Sequence, residues 1–154
     1  MFLTVHGAVG ALIGFNSHSG FLAFVLGIVS HFILDAIPHG DDAIGAHWKA
    51  NRRIATLAFI ASVDGFVMVV LLTATSGMEW LMQSTMLLGV AGAVLPDVLQ
   101  GLAKCFPKAP VLRQCEIVHD GVHHCVIRRR LPMVPGMLVQ VAVALMAYTL
   151  LSLR

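Results

Sequence analysis

The amino-acid sequence predicts an all-α membrane protein, a bundle of about five transmembrane helices that forms one domain over residues 1–154. Only 12% of its residues are charged, 58% are hydrophobic, and the mean hydropathy is +0.86. Soluble domains carry about 25% charged residues, so this composition excludes a water-soluble domain, a disordered chain and a basic nucleic-acid-binding module. The apolar runs are too long for strands and lack their period-2 alternation, which indicates helices.

Five apolar segments account for the predicted spans. The first, 2–16, is short, since at 1.5 Å per residue it extends about 21 Å against a hydrocarbon core of about 30 Å. Segments 20–37 and 54–75 follow, then one from about 80 to 103 and one from about 133 to 153. Within the loop 104–132, which is punctuated by prolines, residues 111–127 are predicted to form a short helix at the membrane surface.

The basic residues set the orientation. With five spans, the N-terminus and loops 39–53 and 104–132 share one side of the membrane. That side carries nine basic residues: Lys49, Arg52, Arg53, Lys104, Lys108, Arg113, Arg128, Arg129 and Arg130. The opposite side carries only Arg154. By the positive-inside rule the first side is cytoplasmic, which predicts a multi-pass membrane protein with a cytoplasmic N-terminus.

Ionisable residues inside the predicted spans mark the candidate site. They are His6, His31, Asp35, Asp64 and Asp97, with His39 just beyond the second span. Such residues are costly in a bilayer and are functional-site candidates by default. In the predicted topology all of them fall in the cytoplasmic half of the membrane.

The spacing of these residues favours a metal site. His31, Asp35 and His39 recur at i, i+4 and i+8, along one helical face. His119 and His123 repeat the i, i+4 spacing in the cytoplasmic loop. Mixed imidazole and carboxylate ligands suit a divalent metal, with zinc preferred and manganese or iron as alternatives. The predicted metal ligands are therefore His6, His31, Asp35, His39, Asp97, His119 and His123.

Other roles remain open for several of these residues. Asp64 is the predicted catalytic residue, as a general base, but a bridging ligand, a partner that orients an imidazole, or a member of a buried polar network or proton relay are alternatives. His6 alone is equally typical of an interhelical hydrogen bond. Asp97 follows Pro96 and suits the break in the helix, and His119 with His123 suits an exposed amphipathic turn.

The sequence resembles a bacterial family of small membrane-bound metal-dependent hydrolases that includes a LexA-regulated inner-membrane type. The resemblance is carried by three short motifs: Thr4-Val5-His6 with Gly10, the run Ser30-His31-Phe32-Ile33-Leu34-Asp35-Ala36-Ile37-Pro38-His39-Gly40-Asp41, and Gly92-Ala93-Val94-Leu95-Pro96-Asp97. The central motif is similar, more distantly, to the HxxxD helix motif of zinc-dependent phospholipase C. That similarity implies that His31 and Asp35 are metal ligands, although no glutamate partner is evident.

These observations predict a membrane-embedded metal-dependent hydrolase that acts on a phospholipid or another amphipathic phosphoester at the cytoplasmic face. We expect membrane lipid as its partner, no nucleic acid, and a homo-oligomer or larger membrane complex as further assemblies. The alternative is a non-enzymatic membrane subunit, either one that binds haem through histidines of separate spans or a structural accessory subunit of a larger complex.

Overall fold

The fold is entirely helical over the part of the chain that the structure describes. A computed structural model describes residues 1–40, 50–126 and 132–154, excluding the side chains at 50, 51 and 123–126. These residues form six α-helices and one 3₁₀ turn (Met78–Leu81), and they contain no strand. The helices are α1 (Leu3–Phe15), α2 (Gly20–Asp35), α3 (Ala50–Ser76), α4 (Ser84–Cys105), α5 (Pro110–Val126) and α6 (Met133–Ser152). The predicted all-α class and the helix in the 104–132 loop are confirmed.

Among the described residues, three helices are long and apolar enough to cross a membrane, instead of the five that the sequence predicts. They are α4, α6 and the stretch Arg52–Ser76 of α3. Local stop signals shorten the other two. The chain turns after Phe15, and Ser19 caps the start of α2 by accepting a hydrogen bond from the Leu22 amide. Because Pro38 disfavours helical backbone at the residue before it, α2 ends at Asp35, and α1 and α2 are only 13 and 16 residues long.

Helix α4 lies at the centre of the bundle, packed against α1 and α2. Glycines permit this close approach, because an added Cβ on Gly10 or on Gly27 would lie 2.5 Å from the carbonyl oxygen of Gly89. Small residues at such crossings let membrane helices pack backbone to backbone. The remaining helices pack around this inner group, with α3 and α6 against α1, and α5 against α4 and α2.

The two ends of the bundle differ in chemistry. Near the end of α3 and the start of α4 the interior is apolar, with Leu72, Trp80 and Met86 almost fully buried. The opposite end contains the buried polar residues of α1 and α2, among them His6, His31 and Asp35. The fold therefore gathers its buried imidazoles and carboxylates at one end of the bundle.

Candidate metal centre

Four side chains from three helices form a compact cluster. His31 and Asp35 come from α2, Asp97 from α4 and His119 from α5. One potential ligand atom from each lies within 4.8 Å of all the others. His31 is 0% exposed, Asp35 3% and His119 6%, whereas the Asp97 side chain is 23% exposed. The cluster is closed on most sides and opens at Asp97.

Local sequence explains how each helix presents its ligand. His31 and Asp35 are one turn apart on α2, so both side chains point from the same face. Helix α5 packs through Leu112, Cys115 and His119, which share the three-to-four-residue spacing of one helical face. Because this face turns inward, His119 is buried in the cluster. The amphipathic turn predicted as an alternative for His119 with His123 therefore faces the bundle, at least at His119.

The distances within the cluster match those between ligands of a single ion. The Nε2 atoms of His31 and His119 are 3.1 Å apart. Oδ2 of Asp35 lies 3.4 Å from Nε2 of His31 and 3.6 Å from Nε2 of His119. Oδ1 of Asp97 lies 3.9 Å and 3.6 Å from the same two nitrogens. Ligands held about 2.0–2.1 Å from a tetrahedral zinc ion are roughly 3.3 Å apart, so small side-chain adjustments suffice for these four atoms to bind one ion.

A backbone carbonyl fixes the tautomer of His31. Its Nδ1 lies 2.9 Å from the carbonyl oxygen of Ala93 on α4, an acceptor that requires the proton on Nδ1. The lone pair of the imidazole is then on Nε2, which faces Asp35, Asp97 and His119. A second hydrogen bond that orients a ligating histidine in this way is characteristic of protein metal sites.

Gln100 contacts Nδ1 of His119, as the Ala93 carbonyl contacts Nδ1 of His31. Its amide nitrogen lies 3.1 Å from Nδ1 of His119 and 3.0 Å from Oδ1 of Asp120. In this orientation Gln100 donates to Nδ1, and His119 in turn donates from Nε2 to His31. With the amide rotated, the Gln100 oxygen would accept from Nδ1 and leave the Nε2 lone pair available to a metal, but the hydrogen bond to Asp120 would be lost, because two acceptor oxygens would then face each other. The same side chain therefore supports both a hydrogen-bonded cluster and a metal-binding one.

His6 also reaches the cluster, from α1. Its side chain is 0% exposed, and its ring stacks on that of His31 with centroids 4.2 Å apart. Nε2 of His6 lies 3.2 Å from Oδ1 of Asp35 and 3.9 Å from Oδ2 of Asp97. Neither ring nitrogen has a hydrogen-bond partner of good geometry among the described residues.

His39 lies at the edge of the cluster and is 3% exposed. Its Nδ1 is 2.7 Å from the carbonyl oxygen of Ile37, and its Nε2 is 3.2 Å from the amino nitrogen of Met1, which in turn lies 2.5 Å from Oδ1 of Asp35. Gln140 of α6 donates to the His39 carbonyl at 3.0 Å and holds this segment in place. His39 is therefore connected to the cluster through the Met1 amino group.

Asp64 is a predicted site residue that lies apart from the cluster. Asp64 on α3 accepts hydrogen bonds from the Thr4 hydroxyl and from the Thr4 amide, the latter at 3.3 Å, at the start of α1. These contacts are those of the buried polar network considered for it, and its catalytic role stays a prediction. The backbone of His123 belongs to α5, but its side chain lies outside the described residues.

Three participants are absent from the residues that the sequence predicts: Gln100, Gln140 and the Ala93 carbonyl. The first two have a sequence signal, because a glutamine inside an otherwise apolar helix has to find a hydrogen-bond partner. That signal is weaker than the signal of an ionisable residue, and a backbone carbonyl has no sequence signal.

An open cleft among the described residues lies away from the cluster. It has a volume of about 540 Å³ and is lined by Pro107, Lys108, Pro110, Arg113, Gln114 and Ile117. None of these residues belongs to the cluster, and they offer no carboxylate or imidazole. The chemistry of the molecule is therefore centred on the buried cluster and not on the cleft.

No protein-family model, no curated protein and no solved structure matches this chain. What the cluster can do is accordingly inferred from its own geometry.

Proposed function

We propose that the protein is a membrane-embedded metal-dependent hydrolase that cleaves a phospholipid or another amphipathic phosphoester at the cytoplasmic face of a bacterial inner membrane. The observation that carries the proposal is the convergence of His31, Asp35, Asp97 and His119 within 4.8 Å. Two carboxylates and two imidazoles gathered in an apolar bundle are costly unless a cation compensates them. Zinc is our preferred ion, and manganese and iron also accept this ligand set.

Each residue has a distinct task in this proposal. His31 and His119 supply neutral Nε2 ligands, while Asp35 and Asp97 supply the negative charge that retains a divalent ion. The Ala93 carbonyl and the Gln100 amide hold the two imidazoles in orientation. When bound, such an ion supplies Lewis-acid activation of a water molecule and of the phosphoryl oxygen. Asp64 remains the proposed general base, although its contacts with Thr4 favour a role in positioning α1.

A lipid substrate follows from where the cluster opens. Among the four residues of the described cluster, Asp97 is the one with appreciable exposure, and it belongs to α4, which packs against α5. Outward-facing apolar side chains on α2, such as Phe21 and Ile33, suit contact with acyl chains. We propose that α1 and α2 lie in the membrane as a hairpin despite their length, which retains five membrane segments, with α5 at the cytoplasmic surface. A lipid then enters sideways from the leaflet.

Haem binding is disfavoured by the packing around the histidines. The Nε2 atoms of His31 and His119 are 3.1 Å apart, and carboxylate oxygens of Asp35 and Asp97 lie within 4 Å of both. A porphyrin between the two imidazoles would have to displace both carboxylates. The stronger rival is an accessory subunit, in which the chain of hydrogen bonds from Gln100 through His119 to His31 only holds helices together.

Metal content distinguishes the hydrolase from the accessory subunit. The full chain is purified in detergent, reloaded with zinc or manganese, and analysed by mass spectrometry for metal per chain. We expect at least one equivalent in the wild type and its loss in His31→Ala and Asp35→Ala, since removing a direct ligand costs more than the roughly 10–100-fold in affinity that an outer partner costs. His18→Ala is the matched control, because His18 is exposed in the turn between α1 and α2.

Activity is then measured on phospholipid in mixed micelles, with release of the phosphorylated or acyl product quantified. The metal-loaded wild type and His18→Ala should turn over substrate, while the stripped protein and His31→Ala should not. A folded wild type that binds no metal after reloading refutes the hydrolase and leaves the accessory subunit.

A further inference from the structure

The surroundings of His6 are not explained by a single metal ion in the cluster. Its imidazole is fully buried, and neither ring nitrogen has a hydrogen-bond partner of good geometry among the described residues. Buried polar groups are nearly always satisfied, because an unsatisfied one costs about 1–3 kcal/mol. Nε2 nevertheless faces the two carboxylates, at 3.2 Å from Asp35 and 3.9 Å from Asp97. A buried imidazole therefore points a ring nitrogen that no described residue satisfies at two carboxylates.

The two carboxylates divide their oxygens between two positions. Oδ2 of Asp35 and Oδ1 of Asp97 are the atoms near His31 and His119. The other oxygen of each carboxylate, Oδ1 of Asp35 and Oδ2 of Asp97, is the one near His6. An ion on each side would therefore share both carboxylates without sharing any oxygen.

From this geometry we infer a second cation site, formed by His6 with Asp35 and Asp97 as bridging ligands, so that the centre holds two divalent ions. The inference rests on the proposed function and extends it from one ion to a pair. The stacked rings of His6 and His31 support it, since their centroids are 4.2 Å apart and their planes differ by 27°. Paired metal ions in hydrolytic enzymes are about 3.5–4 Å apart, a separation that two nearly parallel imidazoles at this distance can serve.

A positive charge already lies on this side of Asp35. The Met1 amino nitrogen is 2.5 Å from Oδ1 of Asp35 and 3.2 Å from Nε2 of His39. A second ion would replace this ammonium group at the carboxylate oxygen. Since Nδ1 of His39 is 2.7 Å from the Ile37 carbonyl, its Nε2 carries the lone pair and can serve as a further nitrogen ligand.

A paired centre narrows the class of substrate. Two ions clamp both the attacking and the leaving oxygen of an in-line displacement, which is the arrangement used for phosphoryl transfer and phosphoester hydrolysis. The second site therefore favours a phosphoester over a carboxylic ester as the bond that is cleaved.

Manganese titration with electron paramagnetic resonance tests the inference on the full chain in detergent. We expect the wild type to bind two equivalents of Mn²⁺ and to develop the spectrum of an exchange-coupled pair as the second equivalent binds. His6→Ala should bind one equivalent, a twofold loss, and give the six-line spectrum of an isolated ion. His18→Ala should behave as the wild type.

The outcomes separate this inference from the proposed function. One uncoupled equivalent in the wild type, unchanged in His6→Ala, overturns the second site and leaves a single-ion hydrolase. A folded wild type that binds neither manganese nor zinc after reloading overturns both. If His6→Ala misfolds, His6→Gln takes its place, because it retains a polar side chain of similar reach. The coupled spectrum of the wild type tests the second site without any variant.

Discussion

The contact between α1 and α4 gives a sharp test of how packing supports the site. Replacing Gly10 with alanine would place a Cβ 2.5 Å from the Gly89 carbonyl oxygen and 2.8 Å from the Cβ of Ala93. Both neighbours belong to the backbone or to a side chain without freedom to rotate, so the helices themselves have to separate. Reaching the 3.0 Å minimum for Cβ contacts requires a shift of about 0.5 Å.

Such a shift has a cost in stability and a cost in metal binding. Overpacking of this kind costs about 1–3 kcal/mol, which for a chain of this size lowers the apparent Tm by roughly 2–12 °C. His6 lies one turn before Gly10, and Ala93 provides the carbonyl that orients His31. Because functional groups need placement within about 0.5 Å, we expect metal affinity to fall about 10-fold, comparable to losing an outer partner.

Gly101→Ala is the matched control on the same central helix. An added Cβ at Gly101 meets nothing within 4 Å, and alanine favours helix over glycine by up to about 1 kcal/mol. Thermal unfolding in detergent and metal titration are measured for both variants. We expect Gly101→Ala to equal or exceed the wild type in both. If Gly10→Ala matches it, the close contact of α1 with α4 does not position the site.

Two further predictions concern residues around the cluster. Gln100→Leu removes the hydrogen bond to Nδ1 of His119, and metal titration should show about 10–100-fold weaker binding. Gln114→Leu, on the surface of α5, is the control and should bind metal as the wild type does. Equal affinities of the two variants would mean that Gln100 does not orient His119. Asp64→Ala removes the carboxylate that accepts from the Thr4 amide, while the Thr4 hydroxyl keeps the backbone carbonyl of residue 64 as an acceptor. Thermal unfolding should therefore show a loss of about 1 kcal/mol with metal content unchanged, and a loss of metal would contradict the position of Asp64 outside the cluster.

The sequence was sufficient for the helices and for much of the cluster, for identifiable physical reasons. Long apolar runs without period-2 alternation satisfy their backbone hydrogen bonds as helices, so the helices were predictable within a few residues. His31 and Asp35 were predictable as partners because helical spacing fixes their relation. The distribution of basic residues supported a five-span topology, and that topology predicted His6 and Asp97 at the same end of the bundle.

What the sequence could not provide depends on tertiary contacts. The Ala93 carbonyl and the division of carboxylate oxygens between His31 and His6 exist only once α2 and α4 are packed. Asp64 and Asp97 are both carboxylates within apolar segments, so the sequence did not distinguish them. Asp64 nevertheless contacts Thr4, because α3 packs against α1.

The wide separation of the ligands along the chain has a consequence for biogenesis. His31 meets Ala93 across 62 residues and His119 across 88. During synthesis, the α1–α2 hairpin therefore leaves the ribosome with Asp35 and two imidazoles long before α4 and α5 exist. Charged groups of this kind partition poorly into lipid on their own. If α1 and α2 lie in the membrane as proposed, we expect the hairpin to wait at the insertion machinery until α4 arrives, so that the residues of the site also set the order in which the helices enter the bilayer.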